Sequence, residues 1–283
     1  MTGPVDGSMT QRSVLITGCS SGIGLASARI MKDRGWRVFA TARTAEDLAR
    51  LKDELGLESL YLDYTEPDSI AAAADQVLAA TGGALDALFN NGAYGQPGAV
   101  EDVTPEALRA QFEANVIGWH DLTRRMIPAM RARHQGRIVQ CSSILGLIAA
   151  PYRGAYCASK FAIEALADTL RLELAGTGIH ISLIEPGPIA TRFIAHALEA
   201  YRRNIDIENS PHREVYRARI AQMEQGGQTT FKLPPEAVVK KLIHALEAKR
   251  PKARYYVTLP TYAAGFLRRV LPTAALDAVA AKN

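Results

Sequence analysis

Short apolar runs alternate along this chain with longer stretches in which apolar positions recur every three or four residues. The runs SVLITG (13–18), RVFATAR (37–43), LYLDY (60–64), ALFNNG (87–92), RIVQCSS (137–143), HISLIEPG (180–187) and RYYVTLP (254–260) read as strands. Most are nearly continuous in apolar residues, the pattern of a parallel sheet covered on both faces. Between them the period-3.6 pattern predicts a helix from about Gly22 to Arg34, another over SIAAAADQVLAA, and a long one from about Pro105 to Arg133. A further helix carries Ala155, Ala158, Ala162, Ile163, Leu166, Leu170 and Leu174 on one side. Repeated strand–helix alternation predicts an α/β protein: a doubly wound parallel sheet of about seven strands in three layers, in one domain.

Two segments depart from that rhythm. Residues 188–235 are polar, charged and irregular in pattern. They are too long for an ordinary connection, so a lid or substrate loop is expected there. Residues 261–281, TYAAGFLRRVLPTAALDAVAA, are amphipathic and apolar. They are expected to form an extension from 263 to 283 that covers the cleft, joins a subunit interface or touches a membrane surface, the first being the commonest use. The catalytic domain is expected at 12–262, with residues 1–11 flexible.

Glycines follow the first strand. TGCSSGIG, Thr17 to Gly24, leads straight into a helix. Gly18 permits a tight turn, Gly22 lets backbone approach a pyrophosphate, and Gly24 allows close helix–sheet packing. The helix start at Gly22, Ile23 and Gly24 offers free N–H groups and a positive dipole end. Ser20 and Ser21 add hydroxyl donors. The spacing is G-x-x-x-G-x-G, a variant of the commoner dinucleotide loop, and glycines that merely turn a strand into a helix are the plainer reading. The second strand ends Thr41-Ala42-Arg43 with no acid to take a ribose hydroxyl. An arginine there suits a 2′-phosphate, so NADP(H) is expected over NAD(H). The plainer alternative leaves Arg43 in solvent.

Tyr156 and Lys160 stand one helical turn apart, with Cβ atoms about 5–6 Å from each other on one face. Alone, such a pair is more often a packed tyrosine beside a snorkelling lysine. Composition narrows the classes. A chain of 283 residues, 48% hydrophobic and 22% charged, suits one soluble globular domain. Cys19, Cys141 and Cys157 follow no pairing or metal-like spacing and are read as reduced, in an intracellular, cytoplasmic protein. The six histidines do not cluster, so no metal is expected. No apolar run is long enough to span a membrane, and the first residues lack the pattern of a secretory signal. Between Arg202 and Arg269 there are fourteen Lys/Arg against six Asp/Glu. Few aromatics interleave with them, so a solvated face is expected and nucleic acid is not.

Taken together, TGCSSGIG, the NNGA from Asn90 to Ala93, Asn115, QCSSILG, YCASK and EPGPIAT resemble the short-chain dehydrogenase/reductase family, over about residues 12 to 260. YCASKFAIEA and EPGPIATRF look most like its steroid- and retinoid-dehydrogenase-like members. The resemblance implies a Rossmann-type fold and a catalytic tetrad of Asn115, Ser143, Tyr156 and Lys160. It also implies cofactor contacts at Asp63, Asn91, Gly92, Pro186, Gly187, Ile189 and Thr191, with Tyr156 and Lys160 shared, and a homodimer or homotetramer. One departure stands out: the family usually has NNAG where this chain has NNGA, which puts the local backbone path beside the cofactor in question.

Reducing a carbonyl needs a hydride and a proton on the oxygen. A free tyrosine has a pKa of about 10, and lowering it by about 2–3 needs about 3–4 kcal/mol of preference for phenolate. One cation at about 4 Å supplies about 4 kcal/mol at an effective dielectric of about 20, so Lys160 alone is expected to shift Tyr156. Ser143 would then donate to the substrate oxygen, and Asn115 would hold a water linking Lys160 to solvent. The expected substrate is a small apolar carbonyl or alcohol, from the apolar residues Leu145, Leu147, Ile148, Pro151, Tyr152 and Phe193. A non-catalytic NADPH sensor and a sugar-nucleotide epimerase are the competing readings. The first would show a broken tetrad, and the second needs a larger C-terminal domain.

Overall fold

A computed structural model describes residues 11–227 and 230–281. The expected flexible start therefore falls, but for Gln11, outside the described residues. Seven parallel strands form one sheet in the order β3-β2-β1-β4-β5-β6-β7. They are β1 (Ser13–Ile16), β2 (Arg37–Ala42), β3 (Glu58–Tyr61), β4 (Ala87–Asn90), β5 (Gly136–Cys141), β6 (Ile179–Glu185) and β7 (Arg254–Tyr256). Val14 pairs with Val38 on one side and Ala87 on the other, so the chain reverses its direction of winding beside β1. The crevice at the C-terminal ends of β1 and β4 is the switch point where such sheets bind ligands.

Helices α1 (Gly22–Asp33), α2 (Ala45–Asp53), α3 (Pro67–Ala80), α4 (Pro105–Phe112), α5 (Gly118–Ala132) and α6 (Gly154–Glu173) follow the first five strands, and α9 (Glu236–Glu247) precedes β7. Two of these, α2 and α9, add to the helices the pattern predicts. Thr44 and Thr104 start α2 and α4 by accepting from Asp47 N and Ala107 N. The expected helix from 105 to 133 is one rod with a π-helical turn, Glu113–Ile117, between α4 and α5. Such a turn carries one residue more than an α turn.

The structure corrects three boundaries. The third strand lies at 58–61, not 60–64. It is an edge strand with Glu58 and Tyr61 exposed, while Leu62 and Tyr64 enter the core from the loop beyond. The last strand stops at Tyr256, because Leu259-Pro260 opens helix α10 (Leu259–Val270), with α11 (Thr273–Ala280) after it. The segment 188–235 is not irregular. It holds α7 (Phe193–Asn204) and α8 (Arg213–Glu224), which close a small core of Tyr201, Ile205 and Tyr216 with Ala99. Each helix buries only a narrow stripe, which is why its pattern reads as polar. Asn204 Nδ2 donates to Gln96 Oε1 at 2.6 Å, and Asp102 accepts from Ser210 Oγ at 2.6 Å and from the Tyr216 hydroxyl.

A chain of buried polar side chains crosses beneath the crevice. The Tyr64 hydroxyl donates to Asn90 Oδ1 (2.6 Å) and lies 2.8 Å from Thr17 Oγ1. Thr123 Oγ1 accepts from Asn90 Nδ2 (2.9 Å) and Gln140 Nε2 (3.3 Å). These bonds tie the ends of β1, β4 and β5 together, so the loops leaving them start from fixed points.

Candidate active site

Gly18 (φ +68°) and Gly22 (φ +56°) adopt the left-handed backbone that glycine permits. Space demands glycine as well. A Cβ on Gly24 would fall 2.1 Å from Gly18 O, one on Gly18 would fall 2.6 Å from Gly92 Cα, and one on Gly22 would meet Thr191 at 2.9 Å. Asn91 Nδ2 donates to Thr17 O (3.0 Å), while Asn91 N and Gly92 N both donate to Thr17 Oγ1. Ser21 starts α1 without a side-chain cap, no acid stands in the first turn, and Ile23 packs on the core behind it. The first-turn N–H groups thus face a concave loop lined by backbone and by the neutral side chains of Asn91 and Thr191. That donor set fits a pyrophosphate.

The NNGA departure resolves without strain. Ala93 is not among the positive-φ residues, and Gly92 is the residue that lies against Gly18. Trp119 Nε1 fixes the same stretch by donating to Gly92 O (2.8 Å).

Arg43 projects from the end of β2 with its side chain 67% exposed, and its nearest carboxylate is Asp63 at 3.7 Å. Asp63 in turn accepts from Thr65 N and Oγ1. One residue was missed by sequence reasoning. Arg50, on α2, donates to Ser20 O (2.5 Å) and Asp47 Oδ1 (2.8 Å), while its buried Nε has no partner. Nothing in its spacing marks it, since the contact spans thirty positions.

On the other side of the crevice, Pro186 O accepts from Ile144 N, and a Cβ on Gly187 would fall 2.1 Å from Thr258 Oγ1. Ile189 is held by a parallel bridge to Leu233. Thr191 packs on Gly22 and accepts from Phe193 N at the start of α7. A cavity of about 650 Å³ opens beyond the Gly22–Thr191 contact, lined also by Ser21, Arg29, Arg192 and Lys232. It adjoins the glycine loop, and Tyr156 is not in its wall.

Ser143, Tyr156 and Lys160 meet past the end of β5. Lys160 is 1% exposed, its Nζ donates to Cys141 O (2.8 Å) and sits 4.3 Å from the centre of the Trp119 ring and 5.6 Å from that of Tyr156. Ser143 stands close enough to the Tyr156 phenol to favour its ionised form, and its Oγ accepts from Leu145 N. Phe193 covers the phenol ring, with centroids 5.3 Å apart, and leans on Gly95.

One expectation fails here. Lys160 does not lower the Tyr156 pKa. Burial raises it above the ordinary phenol value, Cys141 adds to the rise, and the Ser143 hydroxyl offsets only part. The lysine is itself desolvated, which pushes it down to about 8, and its N–H bond goes to a carbonyl rather than the phenol. The Asn115 side chain is engaged with the loop after β4. Its Nδ2 donates to Tyr94 O (2.8 Å) and its Oδ1 accepts from Tyr94 N (3.2 Å), with Ser159 Oγ at 3.4 Å. It braces the loop after β4 against α6.

Beneath Lys160 lies a cluster of charge. Arg254 donates to Glu164 Oε2 (2.7 Å) and to both oxygens of Asp168, and its Nε stands 3.2 Å from Glu185. Glu185 is fully buried, and neither of its oxygens has a well-directed hydrogen bond among the described residues. Burial, with Glu164 adding, pushes its carboxyl up to about 9 despite Arg254. One guanidinium serves three carboxyls, and the most buried one keeps its proton.

A doubly wound sheet with a phosphate-shaped loop at its switch point defines a dinucleotide-binding oxidoreductase frame. The short chain dehydrogenase family model matches residues 12–202, and the chain belongs to that family. It is 43% identical over 273 residues to the Escherichia coli (strain K12) oxidoreductase YbbO, covering 96% of this chain and 95% of that one. Human 17-beta-hydroxysteroid dehydrogenase type 1 is 34% identical, covering 88% and 78%. The NADPH-dependent 3-dehydrocapnine reductase of Ornithobacterium rhinotracheale is 33% identical, covering 87% and 88%. Among solved structures, a short chain dehydrogenase/reductase from Burkholderia phymatum in complex with NAD superposes with a TM-score of 0.74 at 27% identity, covering 87% and 88%. The resemblance to a family with steroid-dehydrogenase members is borne out.

Proposed function

We propose that the protein is an NADP(H)-dependent oxidoreductase acting between an apolar carbonyl, such as an aldehyde or a retinoid-like or steroid-like ketone, and its alcohol. The observation that carries this reading is the meeting of Ser143, Tyr156 and Lys160 beside the glycine loop. The bound nicotinamide supplies or accepts the hydride. Gly18, Ser20, Ser21, Gly22, Ile23 and Gly24 hold its diphosphate, and Asp63, Asn91, Gly92, Pro186, Gly187, Ile189 and Thr191 flank the rest. Arg43, exposed and only loosely paired, takes the 2′-phosphate that separates NADP from NAD.

Tyr156 keeps its proton at neutral pH and gives it to the substrate oxygen in reduction. Ser143 Oγ donates to the same oxygen as negative charge develops there. Lys160 holds a proton below about pH 8 and stands within a ring's width of Tyr156. Asn115 keeps the loop from 92 to 97 in place through Tyr94. Buried Leu145 and Leu147, with Phe193 over the phenol, favour an apolar substrate.

The test supplies NADPH or NADH with a panel of aldehydes, retinal and steroid ketones and follows cofactor absorbance. Tyr156→Phe should lose about 10²–10⁴ in kcat with any accepted substrate. Arg43→Ala should raise KM for NADPH about tenfold to a hundredfold, because a charge-assisted pair contributes about 1.5–3 kcal/mol, and leave NADH unchanged. Full turnover in Tyr156→Phe would overturn the reading.

A further inference from the structure

Helix α10 is amphipathic in reverse. Its buried face is Thr261, Ala264 and Gly265, small residues that let it settle on Tyr256. A Cβ on Gly265 would fall 2.6 Å from that ring. Its large apolar side chains point the other way. Leu259, Tyr262, Phe266 and Val270 are 67%, 50%, 64% and 54% exposed. Their spacing of three, four and four residues makes one continuous stripe. A helix that only closed its own core would hide those four and show the small ones. Helix α11, which follows, buries no residue.

The surroundings are basic. From Lys240 to Asp277 the chain has eight Lys/Arg, of which Arg254 is held by its own carboxylates, and two acids, Glu247, which is paired with Arg34 and Arg12, and Asp277 on α11. Lys241 Nζ reaches to 3.5 Å from the Tyr262 hydroxyl. Arg268 lies over the Phe161 ring and reaches Gly146 O, and Arg269 is exposed on the last turn. Among the described residues, none of these three cations has a carboxylate partner.

We propose that this face docks the protein on an anionic lipid bilayer. Helix α10 lies in the plane of the surface, with Leu259, Tyr262, Phe266 and Val270 at the boundary between headgroups and acyl chains. Lys241 and Arg269 sit at the level of the lipid phosphates. Among the described residues no helix is long and apolar enough to cross a membrane, so the contact is with the surface. A second copy is the poorer occupant. A two-fold interface sets a patch against itself, and here it would set Lys241 and Arg269, which have no carboxylate partner among the described residues, against their own copies.

The test sediments the purified full-length protein with vesicles of phosphatidylcholine, alone or mixed with phosphatidylglycerol. The wild type should pellet with the mixed vesicles only, and less at high salt. The double substitution Leu259→Ser with Phe266→Ser should lower the partition coefficient at least about tenfold. Leu172→Ser, which removes an equally exposed leucine on α6, should leave it unchanged. Arg269→Glu gives a single-residue check if the double variant folds poorly, and it should weaken binding to the mixed vesicles alone. The proposal is overturned if the wild type binds neither vesicle, or if Leu172→Ser costs as much as the double substitution. It is also overturned if light scattering shows a dimer that the double substitution splits, which would give the face to a second copy.

Discussion

Around the glycine loop, the close approaches are between backbone atoms and neutral side chains, apart from Arg50 on Ser20 O. Gly24 faces Gly18 O, Gly18 faces Gly92, and Asn91 answers the carbonyls of Thr17 and Gly18. Around Lys160, across the same crevice, the close contacts carry charge. A buried ammonium lies on an indole, and Arg254 is shared among Glu164, Asp168 and Glu185. The first region has almost no spare volume and nothing that titrates near neutrality. The second has groups pushed toward neutral pH by burial. Shape governs one half of the site and ionisation the other, so each should fail to a different kind of change.

The largest effect should come from volume in the loop. Gly24→Ala places a methyl 2.1 Å from Gly18 O, and both partners are backbone. Overpacking of about 3 kcal/mol would weaken NADPH binding about a hundredfold. Fluorescence titration reads this, and affinity within twofold of wild type would show that the loop can yield. The same methyl should leave the pH dependence of stability untouched.

Charge should matter next. Unfolded, Glu185 titrates with ordinary carboxyls; folded, it keeps its proton up to about 9. The folded state therefore holds that proton more tightly, and the stability it adds at low pH is lost as pH rises toward about 9. Lys160 works in the opposite sense. Its pKa is depressed to about 8, so the cost of burying its charge is relieved as pH rises through that value. Glu185→Gln keeps the shape and removes one titration. Its melting temperature should fall less than that of the wild type between the usual carboxylate range and about pH 9, with NADPH affinity unchanged. Parallel curves would mean that Glu185 is ionised in the fold.

The smallest effect tests the departure from NNAG. A methyl on Gly92 would sit 3.3 Å from Gly18 N and 3.4 Å from the Tyr64 ring, tight but able to ease. Gly92→Ala with Ala93→Gly should cost about 1 kcal/mol or less, a shift of a few degrees in Tm. A larger loss would mean that the loop path depends on this order of residues.

Strands buried on both faces were legible in the sequence because their apolar runs have no polar side to confuse the period. The edge strand β3 slipped, since Leu62 and Tyr64 are apolar for the core's sake and not for the sheet's. Helices α7 and α8 were hidden by their charge, as only Ala197, Ala200, Tyr201 and Tyr216 turn inward. Tyr156, Lys160 and the glycines announced themselves by local spacing. The carboxylate cluster could not, because Arg254 reaches ninety positions back to Glu164. A faint signal did exist: Glu185 is an acid that ends a largely apolar run, behind the buried residues Ile181 to Ile184. The direction of the Tyr156 shift was misjudged for a related reason. Sequence shows that a cation is near and does not show how dry the phenol is.

The π-helical turn at Glu113–Ile117 works as a take-up slot in a rod that is otherwise regular. Each residue of an α-helix advances it by about 100°, and the wider turn fits one residue more into the same revolution, so the rod beyond it keeps its phase against the rod before it. Upstream of the turn, Gln111 receives Gln96 N; within it, Asn115 clasps Tyr94; beyond it, Trp119 holds Gly92 O. All three grip the same strand-to-helix loop from one side. In a regular helix Gln111 and Trp119, eight residues apart, would stand about 80° from each other around the axis; the wide turn takes up the advance of one residue and leaves them within about 20°, so both reach the loop they hold.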